Sequence, residues 1–219
     1  MTLIPALQPI VSAATGDIVA YEALARWNEE GNVIKPQAFR SDWIETDIAM
    51  VQALCAAGDA FGQDKVRLFI NVSDQTLAKD SAFSNWMAAT NELVQSINGR
   101  CVIEITEEIS DHLLRRRWAS LRALDVDLAV DDFGDGQSQL RRLRAHDWDY
   151  CKFDAKRTID MRDAGALLYC HNTHITTIIE KVETQSQRIL GTLCGLDWQQ
   201  GYFFAMPKLL TDLFCAKEL

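Results

Sequence analysis

The stretch Leu7-Gln8-Pro9-Ile10-Val11-Ser12-Ala13-Ala14-Thr15-Gly16-Asp17-Ile18-Val19-Ala20 decides how this chain begins to fold. Two strand-like apolar runs, Leu7–Ser12 and Ile18–Arg26, are separated only by Ala13–Asp17. Two parallel strands need a crossover of roughly a dozen residues, usually a helix, whereas two antiparallel strands can be joined by a tight turn. The connection is too short for a crossover, so the sequence predicts that the first two strands pair antiparallel.

Six further strand-like runs follow, with amphipathic helical stretches between most of them. Residues suited to capping a helix, Asp42, Ser110 and Thr184, precede three of these helical stretches. Alternating strands and helices predict a (β/α)₈ barrel. With the first strand reversed, the expected fold is an α/β fold, a modified (β/α)₈ TIM-type barrel. No linker or repeat divides residues 1–219, so we expect them to form one domain. The six runs are Arg67–Val72, Cys101–Thr106, Asp127–Asp132, Tyr150–Asp154, Thr176–Val182 and Gln199–Phe204.

Composition and charge narrow the range of partners. The formal charge of −9 argues against a nucleic-acid polymer, since binding to nucleic acid relies on Lys and Arg to neutralise phosphates. A small phosphate ligand stays compatible with an acidic pocket when divalent metal ions bridge the charges. The sequence shows neither an apolar span of membrane length nor a signal peptide, so we expect no membrane association and a cytoplasmic location. The six cysteines show no CxxC spacing and are expected to be reduced and buried.

Several strand-like runs carry a charged or amide side chain where a barrel strand would end. Burying a carboxylate among Val and Ile is costly unless another group compensates the charge. Barrel active sites lie at the C-terminal ends of the strands, so these side chains are expected to converge on one site. The excess of carboxylates indicates a bound cation, and oxygen ligands favour Mg²⁺ or Mn²⁺ over Zn²⁺. The residues are Asn71, Glu104, Asp131, Lys152 and Glu180.

Short motifs follow one another along the whole chain. The opening hairpin carries Gln8-Pro9-Ile10-Val11, Gly16-Asp17-Ile18-Val19 and Tyr21-Glu22-Ala23-Leu24-Ala25-Arg26-Trp27. The later motifs are Asn71-Val72-Ser73, Glu104-Ile105-Thr106-Glu107, Asp131-Asp132-Phe133-Gly134, Lys152-Phe153-Asp154, Glu180-Lys181-Val182-Glu183-Thr184 and Gln200-Gly201-Tyr202. With these motifs in this order, the chain resembles the EAL-domain family of cyclic di-guanylate phosphodiesterases over essentially its whole length.

The resemblance implies a phosphodiesterase that hydrolyses cyclic di-guanylate to linear pGpG with two Mg²⁺ or Mn²⁺ ions per site; it also allows a homodimer. One ion would be held by Glu22, Asn71, Glu104 and Asp131, and the second by Asp131, Asp132 and Glu180. The implied catalytic residues are Lys152, which would position the attacking water, and Glu180. The implied substrate-binding residues are Gln8, Arg26 and Gln200, with Glu107 and Glu183 in supporting positions.

Several positions depart from the family pattern. The loop that usually reads Asp-Asp-Phe-Gly-Thr-Gly-Tyr-Ser-Ser carries Asp135 and Gln137 here, and Lys181 replaces a glycine. Strand alternation would point Lys181 away from Glu180, toward the helix layer. These departures favour an alternative function: a non-catalytic receptor for cyclic di-guanylate, or a protein-binding regulator built on a divergent barrel. The retained acidic ligands favour the enzyme.

Overall fold

Eight strands of the chain close into a barrel in which one strand runs against its neighbours. The computed structural model describes residues 2–29, 32–34, 42–58, 66–98, 100–134 and 139–215. Around the ring the strands pair in the order β1-β9-β8-β7-β6-β5-β4-β2, and β2 pairs again with β1. The ring strands are β1 (Thr2–Ser12), β2 (Ile18–Glu29), β4 (Arg67–Val72), β5 (Cys101–Ile105), β6 (Asp127–Phe133), β7 (Tyr150–Asp154), β8 (Thr176–Glu180) and β9 (Trp198–Gln200).

The antiparallel first hairpin is confirmed. The Ser12 amide donates to the carbonyl of Asp17 at 2.9 Å, and the Gly16 amide donates to the carbonyl of Ser12 at 2.9 Å. Gly16 has a φ of 78°, a conformation that glycine adopts without a steric penalty. β1 is antiparallel to both of its barrel neighbours, β2 and β9, whereas the remaining ring pairs are parallel. The expected modified TIM-type barrel is therefore the observed fold.

Two of the predicted strands end two or more residues before their predicted ends. The strand expected over Thr176–Val182 ends at Glu180, because Lys181 has a φ of 57° and leaves the extended conformation. The strand expected over Gln199–Phe204 is Trp198–Gln200, and a turn follows it. Two short strands that the sequence did not predict, β3 (Asn32–Ile34) and β10 (Lys208–Leu209), pair with β2 and β1.

Nine described helices surround the barrel, and the predicted caps are in place. The Asp42 carboxylate accepts from the amides of Ile44 and Glu45, Ser110 caps a second helix, and Thr184 forms a capping box with Gln187. The helices are α1 (Trp43–Ala56), α2 (Asp74–Ala78), α3 (Asp80–Ser96), α4 (Asp111–Arg122), α5 (Leu140–Ala145), α6 (Ala155–Ile159), α7 (Ala164–Thr173), α8 (Gln185–Leu193) and α9 (Leu210–Cys215).

Two apolar layers fill the fold. The larger one lies between the outer faces of the strands and the helices. The smaller one lies inside the barrel and receives one residue from each ring strand, in the manner of a packed TIM-barrel interior. Its members are Ile10, Ala20, Phe69, Val102, Ala129, Tyr150 and Ile178, with Trp198 packed against them. This inner layer is a solid floor, so a site at the C-terminal ends of the parallel strands opens only at that end of the barrel.

No helix in the described parts of the chain is long and apolar enough to cross a membrane. Among the described side chains, Cys55, Cys101, Cys151, Cys170 and Cys194 are free thiols. Cys101, Cys151 and Cys170 are buried as expected, whereas Cys55 and Cys194 are only half-buried. The side chain of Cys215 lies outside the described part of the chain.

A buried arginine fixes the turn that follows β5. The Arg142 side chain is fully buried; its Nε donates to Asp111 Oδ1 at 3.0 Å and its Nη1 donates to the Thr106 carbonyl at 3.1 Å. Its Nη2 makes a short hydrogen bond to the Ile109 carbonyl. Buried backbone carbonyls need hydrogen-bond donors, and this guanidinium donates to two such carbonyls. Arg142 thus ties α5 to the turn after β5.

We expect Arg142→Met to lower the free energy of unfolding by roughly 3 kcal/mol, because the Thr106 and Ile109 carbonyls and Asp111 Oδ1 each lose a hydrogen bond from the guanidinium. The matched control is Arg141→Met. Arg141 also pairs with Asp111, at 2.6 Å, but its side chain is 80% exposed, and an exposed ion pair contributes less than about 1 kcal/mol. Urea unfolding of both variants measures the difference. If both variants lost the same free energy of unfolding, Arg142 would have no special structural role.

Candidate metal centre

A layer of polar side chains lies directly above the apolar floor of the barrel. Each ring strand contributes one member, two positions along the strand from its floor residue, so strand alternation points both into the barrel. In the parallel strands the polar residue follows the floor residue in sequence, whereas in the reversed β1 it precedes it. The polar layer consists of Gln8, Glu22, Asn71, Glu104, Asp131, Lys152, Glu180 and Gln200, all buried except the half-buried Asn71. The structure therefore brings together eight of the predicted site residues.

Four carboxylates of the polar layer surround one ammonium group. Lys152 Nζ lies 2.8 Å from Glu180 Oε1, 3.0 Å from Asp131 Oδ1 and 3.5 Å from Glu22 Oε2. It also makes a very short contact with Glu104 Oε1. The Lys152 side chain is 1% exposed and that of Glu104 is 0% exposed, so this pairing takes place away from bulk water. We call Glu22, Glu104, Asp131 and Glu180 the carboxylate cluster.

Amide side chains hold Glu22 in place within this cluster. Gln200 Nε2 donates to Glu22 Oε2 at 2.6 Å, and Asn71 Nδ2 donates to Glu22 Oε1 at 3.3 Å. Gln8, which lies opposite Glu22 in the β1–β2 register, accepts from Gln200 Nε2 at 3.4 Å. Gln8 and Gln200 were predicted to bind substrate, and in this structure their contacts orient a carboxylate of the cluster.

Burial shifts the pKa values of the cluster and of its ammonium. It raises the pKa of Glu180 to about 8 although Lys152 opposes the rise. Burial, followed by the negative charge of Glu22, raises the pKa of Glu104 well above its usual value, and burial also raises that of Asp131. For Lys152, burial disfavours the charged form, but the four carboxylates outweigh it and raise its pKa. One ammonium cannot balance four ionised carboxylates, so the ionised cluster favours a further cation.

The donor chemistry of the cluster fits a hard divalent cation. Glu104 Oε2 and Glu180 Oε2 are buried and accept no hydrogen bond from the described residues. Carboxylate and amide oxygens are the donors that Mg²⁺ and Mn²⁺ prefer. In the described chain no three acidic, histidine or cysteine side chains are arranged to hold a metal ion directly, and the Lys152 ammonium occupies the point that the carboxylates share. An ion that enters the cluster must therefore displace this ammonium from some of its partners.

Asp132 and Lys181 form an ion pair at the rim of the cluster. Lys181 Nζ lies 2.6 Å from Asp132 Oδ1 and 3.3 Å from Asp154 Oδ2. The expectation that Lys181 points to the helix layer was wrong, because its φ of 57° breaks the strand alternation on which that expectation was based. Asp132, whose φ is 43°, likewise faces this rim.

Arg26 lines a cavity of about 490 Å³ that opens beside Asn71. Two aromatic side chains, Trp43 and Tyr202, line the same cavity and were not predicted as site residues. Desolvation lowers the pKa of Arg26, while Tyr202 and Glu22 oppose that effect. A volume of this size is within the range of small-molecule pockets, and it combines a cation with aromatic faces.

The remaining predicted residues have different outcomes. Glu107 lies in the turn after β5, where burial and the nearby charges of Asp132 and Asp131 raise its pKa. Glu183 is exposed; its backbone amide donates to Gln187 Oε1 at 2.7 Å, and its carboxylate makes no hydrogen bond or ion pair with a described residue. Asp135 and Gln137 lie outside the described residues.

The chain is similar to known proteins over most of its length. The family model described as EAL domain matches residues 1–207. The chain is 27% identical over 237 residues to the probable cyclic di-GMP phosphodiesterase PdeN of Escherichia coli, with 94% of this chain and 44% of that protein covered. This chain spans less than half the length of the curated relatives that it matches.

Solved structures show the same fold. The PaMucR phosphodiesterase in a c-di-GMP complex matches with a TM-score of 0.80 at 22% identity, covering 97% of this chain and 94% of that chain. BlrP1 of Klebsiella pneumoniae, in a manganese and cyclic di-GMP complex at pH 9.0, matches with a TM-score of 0.80 at 26% identity, covering 95% of this chain and 57% of that chain.

We expect Lys152→Met to destabilise the metal-free protein at pH 8 by about 3–5 kcal/mol, because four buried carboxylates lose their shared partner. A divalent cation can replace the lost charge, so added Mn²⁺ should stabilise this variant more than the parent protein. Denaturant unfolding with EDTA or Mn²⁺ measures both effects. Lys156→Met, which removes an exposed ammonium after β7, is the control and should change neither value by more than about 0.5 kcal/mol. A Lys152→Met variant as stable as the parent would contradict the ion-pair assignment.

Proposed function

The chain belongs to the EAL-domain family, and we propose that it is a divalent-metal-dependent phosphodiesterase that hydrolyses cyclic di-guanylate to linear pGpG. The observation that carries this proposal is the complete polar layer, in which carboxylate and amide oxygens converge above a closed apolar floor. The single domain over residues 1–219, the homodimer and the cytoplasmic location stay predictions from the sequence.

Two groups of side chains in the polar layer and its rim would hold Mg²⁺ or Mn²⁺, two ions per site. Glu22, Asn71, Glu104 and Asp131 form the first group, and Asp131, Asp132 and Glu180 form the second. When bound, such ions neutralise charge on a phosphate and lower the pKa of a water molecule. Asp131 belongs to both groups because it lies next to Asp132 at the end of β6.

Lys152 has the central part in the proposed reaction. Its ammonium lies at the point that the four carboxylates share, within reach of a phosphate bound there. Released from some of these partners, the ammonium can donate a hydrogen bond to the attacking water and orient it, and its charge stabilises the additional negative charge of the transition state. Glu180, on the neighbouring strand, pairs with the same ammonium and limits its position.

The substrate is bound by residues beside the polar layer. Arg26 lies on the cavity wall next to Asn71, where its guanidinium can form two parallel hydrogen bonds to phosphate oxygens. Trp43 and Tyr202, on the same cavity, offer aromatic faces on which a guanine base can stack. Gln200 and Gln8 keep Glu22 oriented toward the cluster, and the buried Gln200 Oε1 has no hydrogen-bond partner among the described residues, so it can accept one from substrate or water.

One observation favours the alternative function, a receptor that binds cyclic di-guanylate without cleaving it. Lys181 places an ammonium on Asp132, which is one of the proposed metal ligands. A receptor and an enzyme differ in the product: only the enzyme releases linear pGpG. Incubation of the purified protein with cyclic di-guanylate and Mg²⁺ or Mn²⁺, followed by chromatographic separation, therefore decides between them. Intact cyclic di-guanylate after prolonged incubation with both metals, together with measurable binding, would establish the receptor.

We expect Glu22→Ala to reduce the rate of cleavage by at least about 100-fold, because the variant loses a carboxylate that three other polar side chains hold in place. Glu29→Ala, an exposed position at the end of the same strand, is the matched control and should retain the parent rate. Circular dichroism checks that both variants fold. Parent-level turnover by a folded Glu22→Ala variant would exclude Glu22 as a metal ligand.

Calcium is expected to inhibit the enzyme. Ca²⁺ prefers longer bonds and more ligands than Mg²⁺, so it would shift the attacking water out of line. With Ca²⁺ as the sole divalent ion, the rate should fall by at least about 10-fold, while binding of cyclic di-guanylate persists. Initial rates in each metal, together with equilibrium binding, test this expectation. Equal rates in Ca²⁺ and Mg²⁺ would count against the two-metal mechanism.

A further inference from the structure

Lys181 occupies an unusual place in the barrel mouth. It directly follows Glu180, the last residue of β8, and its side chain turns back across the rim to Asp132 Oδ1 at 2.6 Å. A second carboxylate, Asp154 at the end of β7, lies 3.3 Å from the same ammonium. Three elements of the barrel thus meet at one cation that the proposed reaction does not use.

The backbone on both sides of this ion pair adopts an uncommon conformation. Lys181 has a φ of 57° and Asp132 has a φ of 43°. Residues other than glycine seldom adopt positive φ, because the Cβ atom crowds the following carbonyl. Glycine would adopt this φ without that penalty. The lysine is therefore accommodated at a position that is sterically better suited to glycine.

Lys181 touches only one of the two proposed groups of metal ligands. Asp132 and Glu180 belong to the second group, and both influence the ammonium electrostatically. The Lys181 ammonium makes no hydrogen bond or ion pair with Glu22, Asn71 or Glu104 among the described residues. A cation bound through Asp132 would lie next to this ammonium, and two positive charges that share one carboxylate repel each other.

We propose that Lys181 is a tethered counter-ion that competes with the second divalent cation for Asp132. This inference rests on the proposed function, because it concerns the ligands that the proposed reaction uses. Lys181 does not interfere with the first ion, whereas the second ion must displace the Lys181 ammonium from Asp132. The protein then holds one ion at low metal concentration and the second only when more metal is available, so catalysis depends steeply on the concentration of the free metal ion.

The exposure of the Lys181–Asp132 ion pair limits how strongly Lys181 competes with the second divalent cation. The Lys181 side chain is 52% exposed and that of Asp132 is 29% exposed. Partly exposed ion pairs contribute little free energy, and a lysine side chain can turn into water at a modest cost. Lys181 therefore weakens the second ion without excluding it. Asp154, the second partner, keeps the ammonium near the rim when Asp132 is taken by the metal.

Binding of Mn²⁺ alone tests the proposal, with free Mn²⁺ measured by electron paramagnetic resonance at pH 7.5. We expect the parent protein to bind one Mn²⁺ and a second at least about tenfold more weakly. Lys181→Met removes the charge and keeps the chain length, and it should strengthen the second ion about tenfold and leave the first unchanged. Lys181→Gly, which also removes the positive-φ penalty, should have the same effect and replaces Lys181→Met if that variant folds poorly. Lys181→Arg and Lys156→Met are the charge-retaining and remote controls and should bind like the parent.

Every outcome bears on the proposal. Equal affinities for both ions in the parent, or an unchanged second affinity in Lys181→Met and Lys181→Gly, would overturn it. An absence of Mn²⁺ binding in all variants would overturn the metal centre and the inference together. If Lys181→Met gains the second ion but cyclic di-guanylate stays intact in both proteins, the counter-ion role stands and the proposed catalytic function fails.

Discussion

The buried ion cluster, in which four carboxylates surround the Lys152 ammonium, determines what the polar layer can bind. Four carboxylates buried inside a barrel would repel one another, and each would lose its hydration. A single ammonium at their centre makes the arrangement tolerable, but its one positive charge cannot balance four ionised carboxylates. Burial adds to the cost of ionisation and raises the pKa values of Glu104, Asp131 and Glu180. The unbalanced negative charge favours the binding of divalent cations. Because the floor below Lys152 is closed, these cations enter from the C-terminal ends of the parallel strands.

The reversed first strand makes the polar layer complete. Because β1 runs against its neighbours, its inward-facing Gln8 precedes its floor residue Ile10, and the register sets Gln8 opposite Glu22. Gln200, on the other side of β1, then reaches both residues. The short turn at Ala13–Asp17, which reverses β1, thus determines contacts in the polar layer. Gln8 accepts a hydrogen bond from Gln200, and Gln200 donates to Glu22 and fixes the direction of that carboxylate.

Much of this arrangement could be predicted from the sequence, because it depends on local patterns. The short connection at Ala13–Asp17 predicts the hairpin, and alternation along each strand predicts that Glu104 and Asp131 face inward. The direction of Lys181 could not be predicted, because a positive φ ended β8 at Glu180, before the expected end of the strand. The structural role of Arg142 and the aromatic lining of the cavity also depend on contacts between residues distant in sequence, which no local pattern records.

The most direct test of the metal centre is the position of a bound ion. Crystals of the protein with Mn²⁺, measured near the manganese absorption edge, would locate it by anomalous scattering. The account predicts an anomalous peak bounded by oxygens of Glu22, Asn71, Glu104 and Asp131, with the Lys152 ammonium moved away from Glu104. No peak at this position in millimolar Mn²⁺, with Lys152 still in contact with all four carboxylates, would contradict the account, because the ammonium would then be a permanent structural cation.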